Sequence, residues 1–336
     1  MNILFVYGTP FHPERGGIER VSDLLARELS KRGHVIKYLH NRMPNDFPAY
    51  DYPVKPDFFP DPEYYPKVNF EFYKQYLISN DIDIIINQGG LWPGYSKLYN
   101  CTDGTNAKVI SVIHGTPDLA YSRLFNEILY LRNKSVLEQI KRLGRIALFW
   151  KIKRDYYNRI KSHYEWLCSK KENNCDCIVL LSSYHKERVL ELGGNPQANV
   201  HIIGNPISFK IEKNLSKQKT VLFVGRLEIG NKRPDRLIKI WKHIAANYPD
   251  WTLKILGDGP EKQMLKNLAQ SCDSIKFCGF QNPEPYFREA SVLCMTSDHE
   301  GFPMVLMEGM SKGCIPMAFG SFLAIKDRRH VTWNTL

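Results

Sequence analysis

Short apolar runs alternate along this chain with stretches whose apolar residues recur at helical spacing, the pattern of a parallel sheet wrapped by helices. In the first half, strands are predicted at Ile3–Tyr7, Val35–His40, Ile82–Asn87, Val109–His114 and Cys177–Leu181. A helix is predicted from Ile18 to Arg32, stopped by Gly33. Seven prolines lie between Met43 and Val68 among aromatic and acidic residues, which reads as an irregular loop. The second half repeats the alternation in fewer residues. Its strands are predicted at Thr220–Val224, Thr252–Leu256, Ile275–Phe277, Val292–Thr296 and Ile315–Phe319, and its helices at Pro234–Asn247, Glu261–Ser271, Pro285–Ala290 and Pro303–Lys312. Ile203-Gly-Asn-Pro-Ile207 and a polar stretch to Lys219 separate the halves. The expected fold is α/β: two Rossmann-like, doubly wound parallel-sheet domains, 1–205 and 206–322, facing a central cleft, with a short atypical tail at 323–336.

A length of 336 residues suits two domains, and 43% hydrophobic with 24% charged residues is a globular composition, not a disordered one. No apolar run approaches the roughly 20 residues that a membrane span requires. Met1-Asn-Ile-Leu-Phe-Val-Tyr7 reads as a first strand, not a signal peptide. The eight cysteines show no Cys-x-x-Cys spacing and are expected to be reduced structural thiols in a cytoplasmic protein. The net charge of +11 is uneven: residues 121–171 hold 13 Lys or Arg against 4 Asp or Glu. Within them Leu143, Ala147, Trp150, Tyr157, Ile160, Tyr164 and Leu167 recur at helical spacing. Such a helix either packs on the first domain or rests peripherally on an anionic membrane, where a lipid-diphosphate acceptor would be found. No nucleic-acid recognition motif is present, and nucleic acid is not expected as a partner.

Five turns that follow predicted strands in the second half carry distinctive residues: Gly225-Arg226, Gly257-Asp258-Gly259, Gly279-Phe280, Ser297 through Glu300, and Phe319-Gly320. Strand ends of this architecture form ligand sites. Arg226 offers a planar fork for two phosphate oxygens, and Lys232 a point charge. Alone, each reads as a surface cation on a turn. Glu300 and Glu308, separated by Gly301-Phe302-Pro303-Met-Val-Leu-Met, add two carboxylates. Pro303 suits a first helical turn, which places Glu300 in the loop ahead of a helix and Glu308 about 7 Å along its axis. The first can meet a hexose and the second the hydroxyls of a ribose; otherwise Glu308 is a solvated helix residue. Fixed cations aimed at a leaving diphosphate oxygen lower the barrier to its departure.

In the first half, Gly16-Gly17-Ile-Glu19 opens a helix and lets backbone approach a phosphate. His114 ends a strand, where it can hydrogen-bond a transferred sugar or stabilise its developing charge; His12 and Asn87 are weaker candidates. Neither a Gly-x-x-x-x-Gly-Lys-Ser loop nor a His-Glu-x-x-His pair occurs. Asp81-Ile-Asp83 precedes a strand and reads as a cap, not a metal site. No metal and no cofactor is expected.

Val-Gly-Arg226-Leu, Leu-Gly257-Asp258-Gly259-Pro-Glu, Gly-Phe280 and Glu300 through Glu308 resemble glycosyltransferase family 4, as do Gly16-Gly17-Ile-Glu19 and, more loosely, His114. The resemblance implies a retaining, metal-independent transferase of the GT-B fold that uses a nucleotide sugar, usually a UDP-sugar. It implies that Arg226 and Lys232 bind the donor diphosphate, Glu308 the ribose and Glu300 the sugar. Gly17 would give an amide to phosphate, and Gly257-Asp258-Gly259 would border the base. The expected reaction adds a hexose or N-acetylhexosamine to a glycan or lipid-linked acceptor in surface polysaccharide synthesis. A sugar-nucleotide epimerase or phosphorylase of similar architecture is the rival enzyme. Family members continue past the strand at Ile315–Phe319 with further helices, whereas Ser321-Phe322 leads here into an unfamiliar stretch ending at Leu336. An inactive nucleotide-sugar-binding module is therefore the third expectation.

Overall fold

The computed structural model describes residues 1–45, 47, 49–63, 66–118, 151, 154–169, 174–207, 209–213 and 215–320. These fall into two compact units, one up to Asn205 and the other from Pro206 onward. The tail at 323–336 and most of the basic segment at 121–171 lie outside the described residues.

The first unit is built on a seven-stranded parallel sheet in the order β3-β2-β1-β4-β5-β6-β7. Its strands are β1 (Asn2–Tyr7), β2 (Val35–His40), β3 (Asp57–Phe58), β4 (Ile84–Asn87), β5 (Lys108–Ile113), β6 (Cys177–Leu180) and β7 (Val200–Ile202). Ile3, Leu4, Phe5 and Val6 are all buried, so β1 is covered on both faces, which is why it reads as one apolar run. Helix α1 (Gly17–Lys31) ends where Gly33 takes φ +85°, and the His34 N–H turns back to the Leu29 carbonyl at 3.2 Å. Four more helices follow: α2 (Lys67–Ser79), α3 (Pro93–Tyr99), α4 (154–167) and α5 (Ser183–Glu191). At the sheet's opposite end from the candidate residues, Asp83 Oδ2 accepts the Asn2 N–H at 2.7 Å, capping the first strand.

The stretch Met43–Val68 is not wholly irregular. Asp57 and Phe58 pair with Leu39 and His40 as an edge strand, and α2 begins at Lys67. Two residues are too few to show an alternating pattern. What anchors them is Phe59, buried against Tyr73 and Tyr99.

The second unit holds a five-stranded parallel sheet in the order β10-β9-β8-β11-β12. The strands are β8 (Gln218–Val224), β9 (Thr252–Leu256), β10 (Ile275–Gly279), β11 (Ala290–Met295) and β12 (Ile315–Ala318). The helices are α6 (Pro234–Ile244), α7 (Lys262–Ala269), α8 (Glu284–Glu289) and α9 (Met304–Ser311). Leu237, Ile238 and Trp241 of α6 pack with Phe223, Leu253, Ile255 and Leu265 into its core. Strand β8 pairs with β9 on one side and with β11 on the other, so the strand order reverses between β8 and β11. Among the described residues no helix is long and apolar enough to cross a membrane.

Candidate functional site

In open parallel sheets the loops on either side of a strand-order reversal splay apart and leave a crevice at the strands' carboxyl ends. In the second unit those loops are 225–233, after β8, and 296–303, after β11. The first carries Arg226 and Lys232, the second Glu300.

The two loops are laced together. The Asn231 carbonyl accepts the Asp298 N–H at 2.8 Å, and Asn231 Oδ1 accepts the His299 N–H at 3.1 Å. Thr296 Oγ1 donates to the Arg233 carbonyl at 2.8 Å. Between these contacts Lys232 Nζ donates to Glu300 Oε1 at 2.6 Å, in a pair whose side chains are 27% and 13% exposed. The Lys232 stem runs beside Gly225, so it shares its loop surface with Arg226. Arg226 itself is mostly exposed and, among the described residues, makes only a loose pair with Glu228 at 3.6 Å. Its guanidinium is thus available to an anion.

Arg233 holds a left-handed backbone, φ +53°, at the cap of α6. For a residue with a Cβ this costs about 1 kcal/mol. A two-pronged contact to Asp235, 3.0 Å at each oxygen, offsets the strain. Burial pushes the Asp235 carboxyl up, but the hydrogen bonds and charge of Arg233 prevail and hold it below its ordinary value.

Behind the first loop lies Gly257-Asp258-Gly259. A Cβ at Gly257, φ +141°, would stand 1.9 Å from the Gly225 carbonyl oxygen, and one at Gly259 would stand 2.4 Å from that of Leu227. The Leu227 N–H donates to the Asp258 carbonyl at 2.8 Å. These glycines therefore let one turn press backbone-to-backbone against the turn that carries Arg226. The Asp258 carboxylate accepts the Gly259 N–H and pairs with Lys262 at 2.7 Å.

Helix α9 starts at Met304, with Pro303 as its cap instead of its first residue, one position later than the sequence suggests. Glu300 stands in the loop before it, and Gly301 and Phe302 lead into the cap. Glu308 lies in the second turn and is only 3% exposed. It is not a solvated helix residue. A carboxylate so buried calls for polar or charged company.

Residues 15–210 match the sequence profile of Glycosyltransferase Family 4, and residues 196–321 that of Glycosyl transferases group 1. The chain belongs to glycosyltransferase family 4. An uncharacterized glycosyltransferase of Haemophilus influenzae is 37% identical over 159 residues, 46% of this chain and 44% of that relative. A Campylobacter jejuni protein, named as a GalNAc-alpha-(1->4)-GalNAc-alpha-(1->3)-diNAcBac-PP-undecaprenol alpha-1,4-N-acetyl-D-galactosaminyltransferase, is 32% identical over 146 residues, 40% of this chain and 38% of its own. These matches span less than half the length of either relative. Among solved structures, the lipopolysaccharide outer core galactosyltransferase WaaB in its apo form superposes with a TM-score of 0.61 at 19% identity, covering 95% of this chain and 80% of WaaB. That likeness concerns the fold, and it supports GT-B architecture.

The remaining candidates of this family 4 chain belong to the first unit. Gly16 caps α1 in an extended conformation, and Gly17 is its first residue. The Glu19 carboxylate folds back against Gly16 and faces the helix start. Burial raises its pKa, against the lowering influence of its own N–H and of Arg15. His114 directly follows β5, and its Nε2 lies 2.5 Å from Gln88 Oε1. An amide oxygen only accepts, so Nε2 carries the proton and Nδ1 is left as an acceptor. Burial lowers the pKa of His114 to about 4, so the ring is neutral near pH 7 and works through hydrogen bonds, not through charge. Asn87 has a structural role: it bonds Asn100 at 2.8 Å and accepts the Gly89 N–H at 2.8 Å. His12 likewise accepts the Glu14 N–H at 3.3 Å. Sequence reasoning missed Asn231, Thr296 and Gln88, because nothing in their local spacing distinguishes them from ordinary loop residues.

Proposed function

We propose that the chain moves a hexose or N-acetylhexosamine from a nucleotide sugar, UDP-linked in the first instance, to a glycan or lipid-linked acceptor in surface-glycan synthesis. The observation that carries this reading is the Lys232–Glu300 pair, at the strand-order reversal and beside Arg226. Arg226 and Lys232 grip the donor diphosphate, and as it departs they neutralise the growing charge on the leaving oxygen. Each such group lowers a barrier by about 3 kcal/mol in comparable sites. When the diphosphate takes Lys232, the Glu300 carboxylate is released to accept hydrogen bonds from sugar hydroxyls. Glu308 serves the ribose. Within the first unit, the Gly17 amide at the start of α1 suits a phosphate oxygen, and neutral His114 has Nδ1 to offer to a sugar hydroxyl.

The acceptor attacks from the face that the diphosphate leaves, the configuration is retained, and a leaving-phosphate oxygen helps to take the acceptor proton. Two fixed cations and helix N-termini do the work of a metal ion. The names of the relatives, a lipid-linked oligosaccharide transferase and a lipopolysaccharide galactosyltransferase, support a surface-glycan acceptor.

A panel of UDP- and GDP-sugars, tested first for binding and then for nucleotide release with and without a prenyl-diphosphate-linked glycan, examines the reading. Binding of at least one donor and acceptor-dependent release are expected. If no member of the panel binds, the assignment is wrong.

A further inference from the structure

The described part of the first unit contains a pocket that the donor reading does not use. Its volume is about 160 Å³. Leu91 and Trp92 wall it from the loop after β4, Pro117 from the loop after β5, and Tyr156, Ile160 and Tyr164 from one face of α4. An apolar cavity of about 150 Å³ takes up a benzene-sized molecule, so this one suits a branched five-carbon unit.

Two polar atoms of the wall are engaged within the protein. His163 Nε2 donates to the Gly90 carbonyl at 2.9 Å, and Tyr164 Oη donates to the Pro117 carbonyl at 3.1 Å. Aliphatic and aromatic side chains supply most of the described lining. Among the described residues of the lining Arg159 is the one charged side chain, and it is exposed. No described lining residue is acidic. The chemistry is that of an apolar chain with an anion at one end.

The position matters as much. The pocket opens at the carboxyl ends of β4 and β5, and the loop 88–92 serves both it and His114: Gln88 holds the imidazole, while Leu91 and Trp92 form the wall. We propose that this pocket binds the first isoprene unit of a prenyl-phosphate-linked acceptor, with Arg159 pairing with its phosphate. The ligand's role as acceptor rests on the transferase reading; its binding does not.

The test is calorimetric titration of the full chain with geranyl diphosphate, geraniol and inorganic diphosphate. Geranyl diphosphate should bind more tightly than either fragment. Arg159→Ala should weaken it about tenfold and leave geraniol unaffected, as expected for loss of one charge-assisted contact. Trp92→Ala, at a 39% exposed side chain that caps α3 only through its backbone, should weaken geranyl diphosphate and geraniol alike. UDP binding, measured in parallel, should be unchanged in both variants. The proposal is overturned if geranyl diphosphate does not bind, if both variants bind it like the parent chain, or if inorganic diphosphate binds as well as geranyl diphosphate. Loss of UDP binding in the parent chain would instead remove the donor reading and leave this result standing.

Discussion

Lys232 Nζ and Glu300 Oε1, 2.6 Å apart, are each other's partner, although one is assigned to a diphosphate and the other to a sugar. A nucleotide must compete with Glu300 for the ammonium. Glu300→Gln, which weakens that hold, should raise UDP affinity several-fold while lowering turnover of the nucleotide sugar by about a hundredfold. Lys232→Met should lower UDP affinity about tenfold. A partly exposed pair contributes at most about 1 kcal/mol, so melting temperatures should move by only a few degrees. Calorimetry, turnover and thermal melts measure these. Equal UDP affinity in the parent and both variants would dismiss the exchange.

Asn231 sets the spacing at which that pair meets, since it accepts from two consecutive N–H groups of the opposite loop. Asn231→Ala removes the side-chain acceptor, at about 1 kcal/mol of stability. Turnover should fall far more than stability, because Glu300 is the next residue after His299. Asn231→Asp keeps the accepting oxygen and should recover most of the turnover. An alanine variant as active as the parent rules out this positioning role.

Gly257→Ala combines a positive φ with a Cβ placed 1.9 Å from the Gly225 carbonyl oxygen. One turn must move, and the one in its path carries Arg226. The expected loss is at least about 2 kcal/mol, read from urea unfolding, with weaker UDP binding. Gly230→Ala, where nothing lies within 4 Å of the new methyl, is the control and should be silent.

His40 brings a pH dependence. It is fully buried among Phe11, Tyr38 and Phe58, and its Nδ1 donates to the Tyr7 carbonyl at 3.0 Å. Its Nε2 faces no hydrogen-bond partner among the described residues, and burial lowers its pKa to about 3. Below about pH 6.5 the unfolded chain takes up a proton there that the folded chain refuses, so stability falls as the pH drops from about 6.5 toward 3. At pH 5 this is about 2 kcal/mol. His40→Asn keeps a donor near the Nδ1 position and titrates nothing. Its unfolding midpoint should decline less between pH 7.5 and 5 than that of the parent. Parallel declines would show that His40 is not responsible.

Much of the fold was legible because buried parallel strands stand out as short apolar runs, even where one lysine interrupts them: β2 and β9 fall where the pattern puts them. The two-residue β3 and the helix α5 were not, because the first is held by Phe59 and the second by a Ser182 cap that accepts the His185 N–H. Both depend on contacts more than on periodicity. At the site, Arg226, Lys232, Glu300 and Glu308 could be picked out as charges placed after strands. The hydrogen bonds of Asn231 to Asp298 and His299 join residues far apart in the chain, and no local signal foretells them.

Lys232 and Glu300 are separated by 68 positions in the chain, yet they hang from β8 and β11, which are immediate neighbours in the sheet. Their separation is governed by the inter-strand repeat of about 4.8 Å, not by the intervening polypeptide. Lengthening or trimming the surface connections on the β9–β10 side should therefore be tolerated, whereas a one-residue slip of β11 against β8 would disassemble the grip at once.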